Sequence, residues 1–210
     1  MCIRDRTIDY LWKITKRGLK NKISHKKNLA GNISKSYLLN DDNNFFYKKI
    51  CEPLINIYRQ NNNNGFDPTS TNSILDNVPF KLKDLWVNYQ YQTEFNPYHD
   101  HGGVYSFAIW MKIPYESDQL ALLPQFKEIE PSQRKAGKFE FEYLDTLGEI
   151  KVLSYDLSQL YEGRMVFFPS KLRHCVYPFY GTEEPRVSIS GNIWYDPSVV
   201  ATNKAKKGFG

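Results

Sequence analysis

From residue 85 onward the chain is cut into short stretches of aromatic and branched residues, each bounded by Gly, Pro or polar turns, and few folds accept that spacing. Leu85 to Gln92 alternates as a strand does. Val104 to Ile113 is a second such stretch, closed by Pro114. Phe139 to Tyr143 alternates cleanly, and Ile150 to Tyr155, Met165 to Phe168 (ended by Pro169) and Val187 to Trp194 continue the series. Aromatic and branched side chains suit a half-buried pleated surface. Short strands with turns every ten residues or so indicate an antiparallel sandwich or barrel.

The first eighty residues read differently. Ile8, Leu11 and Trp12 fit a short amphipathic helix within a basic leader. Residues 33–40 make a first strand. Asp41-Asp42-Asn43-Asn44 is a turn or helix N-cap cluster, followed by Phe45, Phe46, Ile50, Leu54, Ile57 and Tyr58 at helical spacing, although Pro53 interrupts. Asn61 to Asn77 is a polar loop. The opening Met1 to Arg6 has neither helical nor strand logic and is given no weight. The expected organisation is a basic extension over 1–30, one domain over 31–200 and a basic tail over 201–210. A chain of 210 residues is long enough for one domain with a proper core.

The net charge of +5 sits largely at the two ends. No basic stripe interleaved with aromatics crosses the body, so the ends read as solvated termini before they read as a nucleic-acid surface. Cys2, Cys51 and Cys175 are odd in number, widely spaced and form no CxxC, which argues against a disulfide framework or a zinc-thiolate site. Reduced thiols, no apolar run of membrane-spanning length and no signal peptide point to a cytoplasmic protein, of the cell or of an infected host.

Only four histidines are present. His25 stands in the leader and reads as a surface residue. His99 and His101 flank Asp100, and His174 follows the Pro169 turn. Two residues apart on extended chain, side chains share a side. His99 and His101 can therefore face one point while Asp100 faces away. In a closed antiparallel barrel a distant strand end can bring His174 beside them. Two ligands from one strand and one from another would occupy one face of an octahedral metal and leave the opposite positions open, the logic of the non-haem iron facial triad. Arg186 and Ser188 follow on one face of the last strand. A guanidinium and a hydroxyl side by side suit a carboxylate: a bidentate fork plus one further donor. Singly, each of these residues is more often a structural His, a rim ion pair or a strand filler; their order along the chain is what carries weight.

With these residues the sequence resembles the 2-oxoglutarate/Fe(II) oxygenase superfamily, and more narrowly the 2OG-Fe(II) oxygenases of bacteria and marine phages. The resemblance runs through Asn96 to His101, Ser106 to Pro114, Gly163 to Ser170 with His174, and Pro185 to Ser190 with Asn192. It implies a mainly β double-stranded β-helix, or jelly roll, with flanking N-terminal helices. It implies Fe(II) held by His99, His101 and His174, with His101 where the family often has a carboxylate. Arg186, helped by Ser188, would grip the far carboxylate of 2-oxoglutarate. Tyr89 is placed against the same co-substrate, with Tyr91 or Asn88 as alternatives. The activity implied is a dioxygenase that uses 2-oxoglutarate and O2 to hydroxylate a substrate the sequence does not name. Tyr98, Tyr105, Phe107, Trp110, Phe167 and Phe168 are candidates to line the pocket or to form plain core. The rival readings are a non-catalytic, cupin-like metal or ligand module, for which three histidines would equally suit Zn²⁺, and nucleic-acid binding through the basic ends. A nucleic-acid substrate for the enzyme itself stays open.

Overall fold

The computed structural model describes residues 1, 3, 6–61 and 79–198. Among the described residues, nine strands form two antiparallel sheets. The strands are β1 (Lys35–Leu38), β2 (Phe80–Gln90), β3 (Asn96–His99), β4 (Tyr105–Lys112), β5 (Phe139–Leu144), β6 (Ile150–Tyr155), β7 (Met165–Pro169), β8 (Arg173–Val176) and β9 (Arg186–Tyr195). The larger sheet has the order β1-β2-β9-β4-β7 and the smaller β3-β8-β5-β6. Together they make the expected jelly roll. Helices α1 (Arg6–Asn21) and α2 (Glu52–Asn61) flank it, and a short α3 (Ser117–Ala121) follows β4.

Strand alternation decides what each side of the larger sheet meets. Along β9, Val187, Ile189 and Ile193 join Leu85 and Val87 of β2 and Tyr105 and Ile109 of β4 in one buried cluster. Leu11 and Ile14 of α1, Ile55 of α2 and the preceding Phe46 and Ile50 belong to the same cluster. The helices therefore cover one side of this sheet. A second cluster, with Trp110, Phe139, Phe141, Phe168 and Leu157, lies between the two sheets. Along β9 the alternate residues Arg186, Ser188 and Ser190 border a cavity on that inner side.

The leader is consequently no solvated arm over its whole length: Leu11 and Ile14 are buried, and Lys13, Lys16 and Lys20 lie on the exposed side of the helix. His25, expected at the surface, is buried, with its ring stacked on Trp86 at 4.5 Å. Its pKa is lowered by burial. Ile3 of the opening segment is also buried, and its main-chain N–H donates to the Gly163 carbonyl. Cys51 and Cys175 are free and buried. Cys2, the polar loop from residue 62 on and the 201–210 tail lie outside the described residues. Among the described residues no helix is long and apolar enough to cross a membrane.

Pro53 does not break α2, because the chain widens into a π-type turn over Tyr47–Cys51 before the α-helix starts at Glu52. Pro53 has no N–H to donate, and the π-type stretch just before it is where the helical hydrogen-bond register shifts. Asp41 secures the entrance. Its carboxylate accepts the main-chain N–H of Phe46 at 2.8 Å and of Tyr47 at 2.9 Å, and also the Tyr10 hydroxyl at 2.8 Å. These bonds tie the start of the second helical segment to α1. Asp41→Ala removes a cap and leaves donors unpaired, at a cost of about 2 kcal/mol. Urea denaturation followed by circular dichroism should show that loss; a change below about 0.5 kcal/mol, the ordinary scatter of surface substitutions, would mean that the cap contributes nothing.

Candidate metal centre

β3 and β8 pair antiparallel with His99 directly opposite His174. Both strands are only four residues long. After His99 the chain leaves the strand, and the His101 N–H donates to the Ser170 carbonyl at 2.8 Å, which draws residue 101 back toward the turn that precedes β8. Ser170 is itself fixed: its hydroxyl lies 2.9 Å from that of Ser106, which also donates to Asn192 at 2.8 Å. Gly103, with a φ of +100°, then turns the chain into β4, and a Cβ there would stand 2.8 Å from the Ile193 carbonyl oxygen. No other residue type fits this turn without strain.

The outcome is a cluster of three imidazoles, His99, His101 and His174, whose ligand atoms all lie within 4.8 Å of one another. Nε2 of His101 and Nε2 of His174 are 3.2 Å apart. Two nitrogens each ~2.1 Å from one ion, on adjacent coordination positions, stand about that far apart. The opposite ring edges are occupied. Nδ1 of His99 faces the Pro97 carbonyl at 2.7 Å, and Nδ1 of His174 faces the Leu172 carbonyl at 3.0 Å. A carbonyl only accepts, so each Nδ1 carries the proton and each Nε2 keeps its lone pair for a metal.

Electrostatics hold the rings neutral. Burial, reinforced by the neighbouring His99, pushes the pKa of His174 down to about 3 and that of His101 down to about 4. His99 is lowered too, again mainly by burial, with the Pro97 carbonyl opposing the shift. Phe139, Phe141 and Phe168 pack around His174. Asp100 turns outward, and its carboxylate pairs with Lys171 at 3.4 Å on an exposed rim. It is no member of the cluster, whereas His101 is.

The imidazoles open into a cavity of about 250 Å³, and the same cavity is walled by Arg186 and Ser188. Arg186 is 2 % exposed. One terminal nitrogen donates to the Tyr115 hydroxyl and to the Gly137 carbonyl at 2.9 Å; the other donates to the Gln90 side-chain oxygen at 2.6 Å and the Tyr177 carbonyl at 3.2 Å. All four acceptors are neutral. The fork that the sequence suggested for a carboxylate is thus already engaged, and Nε–H is the edge left over. Among the described residues no carboxylate pairs with this buried cation.

Tyr89 does not reach the cavity. Its ring packs beside Tyr37 at 6.4 Å, in the helix-side cluster. β2 turns Trp86, Asn88 and Gln90 to the cavity instead. Asn88, one of the alternatives, is therefore in the wall, whereas Tyr91 accepts from Lys35 at an exposed edge. Of the aromatic candidates, Trp110 and Phe168 line the cavity, and Phe107 touches its wall while its ring packs on Phe46. Tyr105 and Phe167 belong to the helix-side cluster, and the Tyr98 hydroxyl bonds Glu140 instead.

A family model described as "Putative 2OG-Fe(II) oxygenase" matches residues 84–192, just over half of the chain and the whole span from β2 through the metal centre to most of β9. The chain belongs to this family. Its cofactors are accordingly Fe(II) and 2-oxoglutarate, and the imidazole cluster fits the first: neutral nitrogen donors suit Fe²⁺, as they do other first-row divalent ions. Among solved structures, a Pseudomonas putida prolyl-4-hydroxylase is similar in fold, with a TM-score of 0.50 at 11% identity over 90% of this chain and 86% of that one. An oxidoreductase of the 2OG-Fe(II) oxygenase family from Burkholderia pseudomallei matches with a TM-score of 0.37 at 11% identity, over 56% of this chain. The match spans 46% of that protein's length. No curated protein matches the sequence.

If the three histidines are the whole protein ligand set, His99→Ala, His101→Ala and His174→Ala should each weaken binding of Fe(II) or its substitute Co(II) by at least tenfold in anaerobic titration. Asp100→Asn should bind as the parent does. Tight binding in His101→Ala together with loss in Asp100→Asn would reverse that assignment.

Proposed function

We propose that the protein is a 2-oxoglutarate-dependent dioxygenase that hydroxylates a C–H bond of its substrate and releases succinate and CO2, with His99, His101 and His174 as the metal ligands. The observation that carries this reading is the charge on Arg186. A guanidinium sealed from water and bonded only to neutral acceptors lacks the counter-charge that buried ions normally need. It borders the same cavity as three imidazoles poised for a cation. A molecule with a metal-chelating end and a distal carboxylate meets both requirements at once.

In this reading Arg186 supplies the positive field and its free Nε–H, and Ser188 supplies a hydroxyl donor from the same strand face. Tyr115, Gly137 and Gln90 hold the guanidinium in place, so the carboxylate meets a charge that has no reorganisation left to undergo. Bound Fe(II) would activate O2 as the oxidant, with 2-oxoglutarate and the substrate each giving up two electrons, so that one oxygen atom ends in succinate and the other in the hydroxylated product. The chain's own work is to orient both ligands and to exclude water. Phe139, Phe168 and Trp110 do the second, forming dry walls beside the imidazoles. The Nδ1–H bonds to Pro97 and Leu172 would keep the rings of His99 and His174 fixed around a bound metal.

The reading predicts a preference that wild-type protein can reveal. 2-Oxobutyrate has the same chelating end as 2-oxoglutarate but no distal carboxylate. A hydrogen bond to a charged group contributes about 1.5–3 kcal/mol, so 2-oxobutyrate should bind the Fe(II) protein at least about tenfold more weakly. The visible charge-transfer band of the chelate, titrated without oxygen, measures both. Ser188→Ala should narrow the gap. Equal affinity for the two oxoacids, or no succinate above a His174→Ala control when oxygen is admitted, would leave a metal-binding jelly roll without this chemistry.

A further inference from the structure

Three buried side chains of the cavity wall are left unsatisfied. Trp86, Asn88 and Asn96 are 3 %, 7 % and 8 % exposed. All three line the cavity. Trp86 Nε1, Asn88 Oδ1 and Asn96 Oδ1 have no hydrogen-bond partner among the described residues. Buried polar atoms are nearly always paired, and one cavity holding three orphans calls for a ligand that pairs them.

Their chemistry selects that ligand. The indole N–H only donates, and the two carboxamides present oxygen acceptors. None is charged. The wall's carboxylate, Asp100, is engaged by Lys171, so no carboxylate stands beside these three to call for an organic cation. The buried positive charge belongs to Arg186, which is in contact with Gln90 rather than with these three. An anion would go there. What remains is a neutral group with an N–H to give and a C=O to receive.

The arrangement is also braced. Trp86 is sandwiched between His25, stacked at 4.5 Å, and His101, with ring centroids 5.9 Å apart. Lys27 to Ala30 and Ile33 form the neighbouring wall as a strap. The strap is pinned where the Asn32 N–H donates to the Phe95 carbonyl at 2.9 Å. Gly31 permits the pinning: a Cβ there would lie 2.1 Å from the Phe95 carbonyl oxygen and 2.5 Å from Asn96 Oδ1. A group held by Trp86 thus lies next to a histidine of the metal centre.

We propose that Trp86, Asn88 and Asn96, beneath the strap Lys27–Ile33, form the subsite for the primary substrate, and that the part of the substrate bound there is a neutral carboxamide. The name "primary substrate" rests on the oxygenase reading; the binding chemistry does not. The probes are benzamide and acetophenone, near-isosteres of which only the first has N–H donors, with benzoate and benzylamine as charged controls. Binding to the full-length protein is measured by saturation-transfer NMR, with a separate titration of 2-oxoglutarate on the Fe(II) form. Benzamide should bind about fivefold or more tighter than each of the other three, since one hydrogen bond contributes about that factor. Asn88→Leu should weaken benzamide by a similar factor and leave acetophenone nearly unchanged, whereas Trp86→Phe, which removes the donor to the carbonyl that both probes carry, should weaken both, with thermal melting used to check that each variant is folded. Acetophenone or a charged probe binding as well as benzamide to wild-type protein overturns the proposal, and that comparison needs no variant. Benzamide selectivity without 2-oxoglutarate binding would sink the oxygenase reading and keep the subsite; 2-oxoglutarate binding without that selectivity would do the reverse.

Discussion

Everything functional in this chain hangs on a single rung between two very short strands. β3 and β8 face one another at His99 and His174, and that pairing places two imidazoles in contact inside a wall of phenylalanine. The third imidazole reaches them through one main-chain bond, from His101 N–H to the Ser170 carbonyl. Where the Nε2 lone pairs of His99 and His174 meet the ring of His101, a metal cation is better accommodated than an added proton, because burial disfavours the charged rings. The fold therefore holds an arrangement suited to a metal. The buried Ser106–Ser170–Asn192 bonds are what keep that arrangement from relaxing, because they tie the β8 turn to β4 and β9.

A sandwich ordinarily buries apolar residues on both inner faces. Here the inner side of β9 carries Arg186, Ser188 and Ser190, and that of β2 carries Asn88 and Gln90. Such a polar inner face is tolerable only where something other than side-chain packing fills the space. The apolar closure is displaced sideways, to Trp110, Phe139, Phe141 and Phe168 between the sheets and to the helix-covered outer side of β2, β4 and β9. Stability and site are thus separated across the thickness of one sheet: alternate residues of the same strand serve one or the other.

That separation explains what the sequence made legible. The strands from Leu85 to Trp194 follow from their period and their Pro and Gly boundaries. The order of His99, His101, His174, Arg186 and Ser188 along the chain, joined to a family resemblance, picks out five residues of one cavity wall, although His101 lies beyond the strand expected to carry it with His99. Tyr89 was misplaced for a physical reason. Asn88 and Gln90 mark a polar side of β2, but alternation alone does not say that this side faces a cavity rather than solvent, and Tyr89 falls on the other, helix-covered side. β3 and β8 were hidden because four residues hold too little pattern, and Pro97 argues against a strand. Burial of His25 was equally unreadable, since it depends on Trp86, sixty residues away, folding beneath it. Asn96 gave no signal either: an asparagine in a loop-like stretch becomes a buried acceptor only once the strap at Gly31 closes over it.

The division between shared and unshared sequence has the same logic. Residues 84–192, which match the family, contain all three imidazoles, Arg186 and Ser188. The strap Lys27–Ile33 lies outside that span, yet it forms part of the cavity wall. Metal and co-substrate chemistry demand a fixed geometry, in which a displacement of an ångström is costly. Recognition of a substrate's remote group demands only a wall of the right polarity near the reacting centre. A leader that packs through Leu11 and Ile14 and then runs along the cavity adds to that wall and, through the Asn32 to Phe95 bond, braces the start of β3. Part of the basic segment that reads as a solvated arm from its charge alone is, in the folded protein, a piece of the cavity wall that the three imidazoles share.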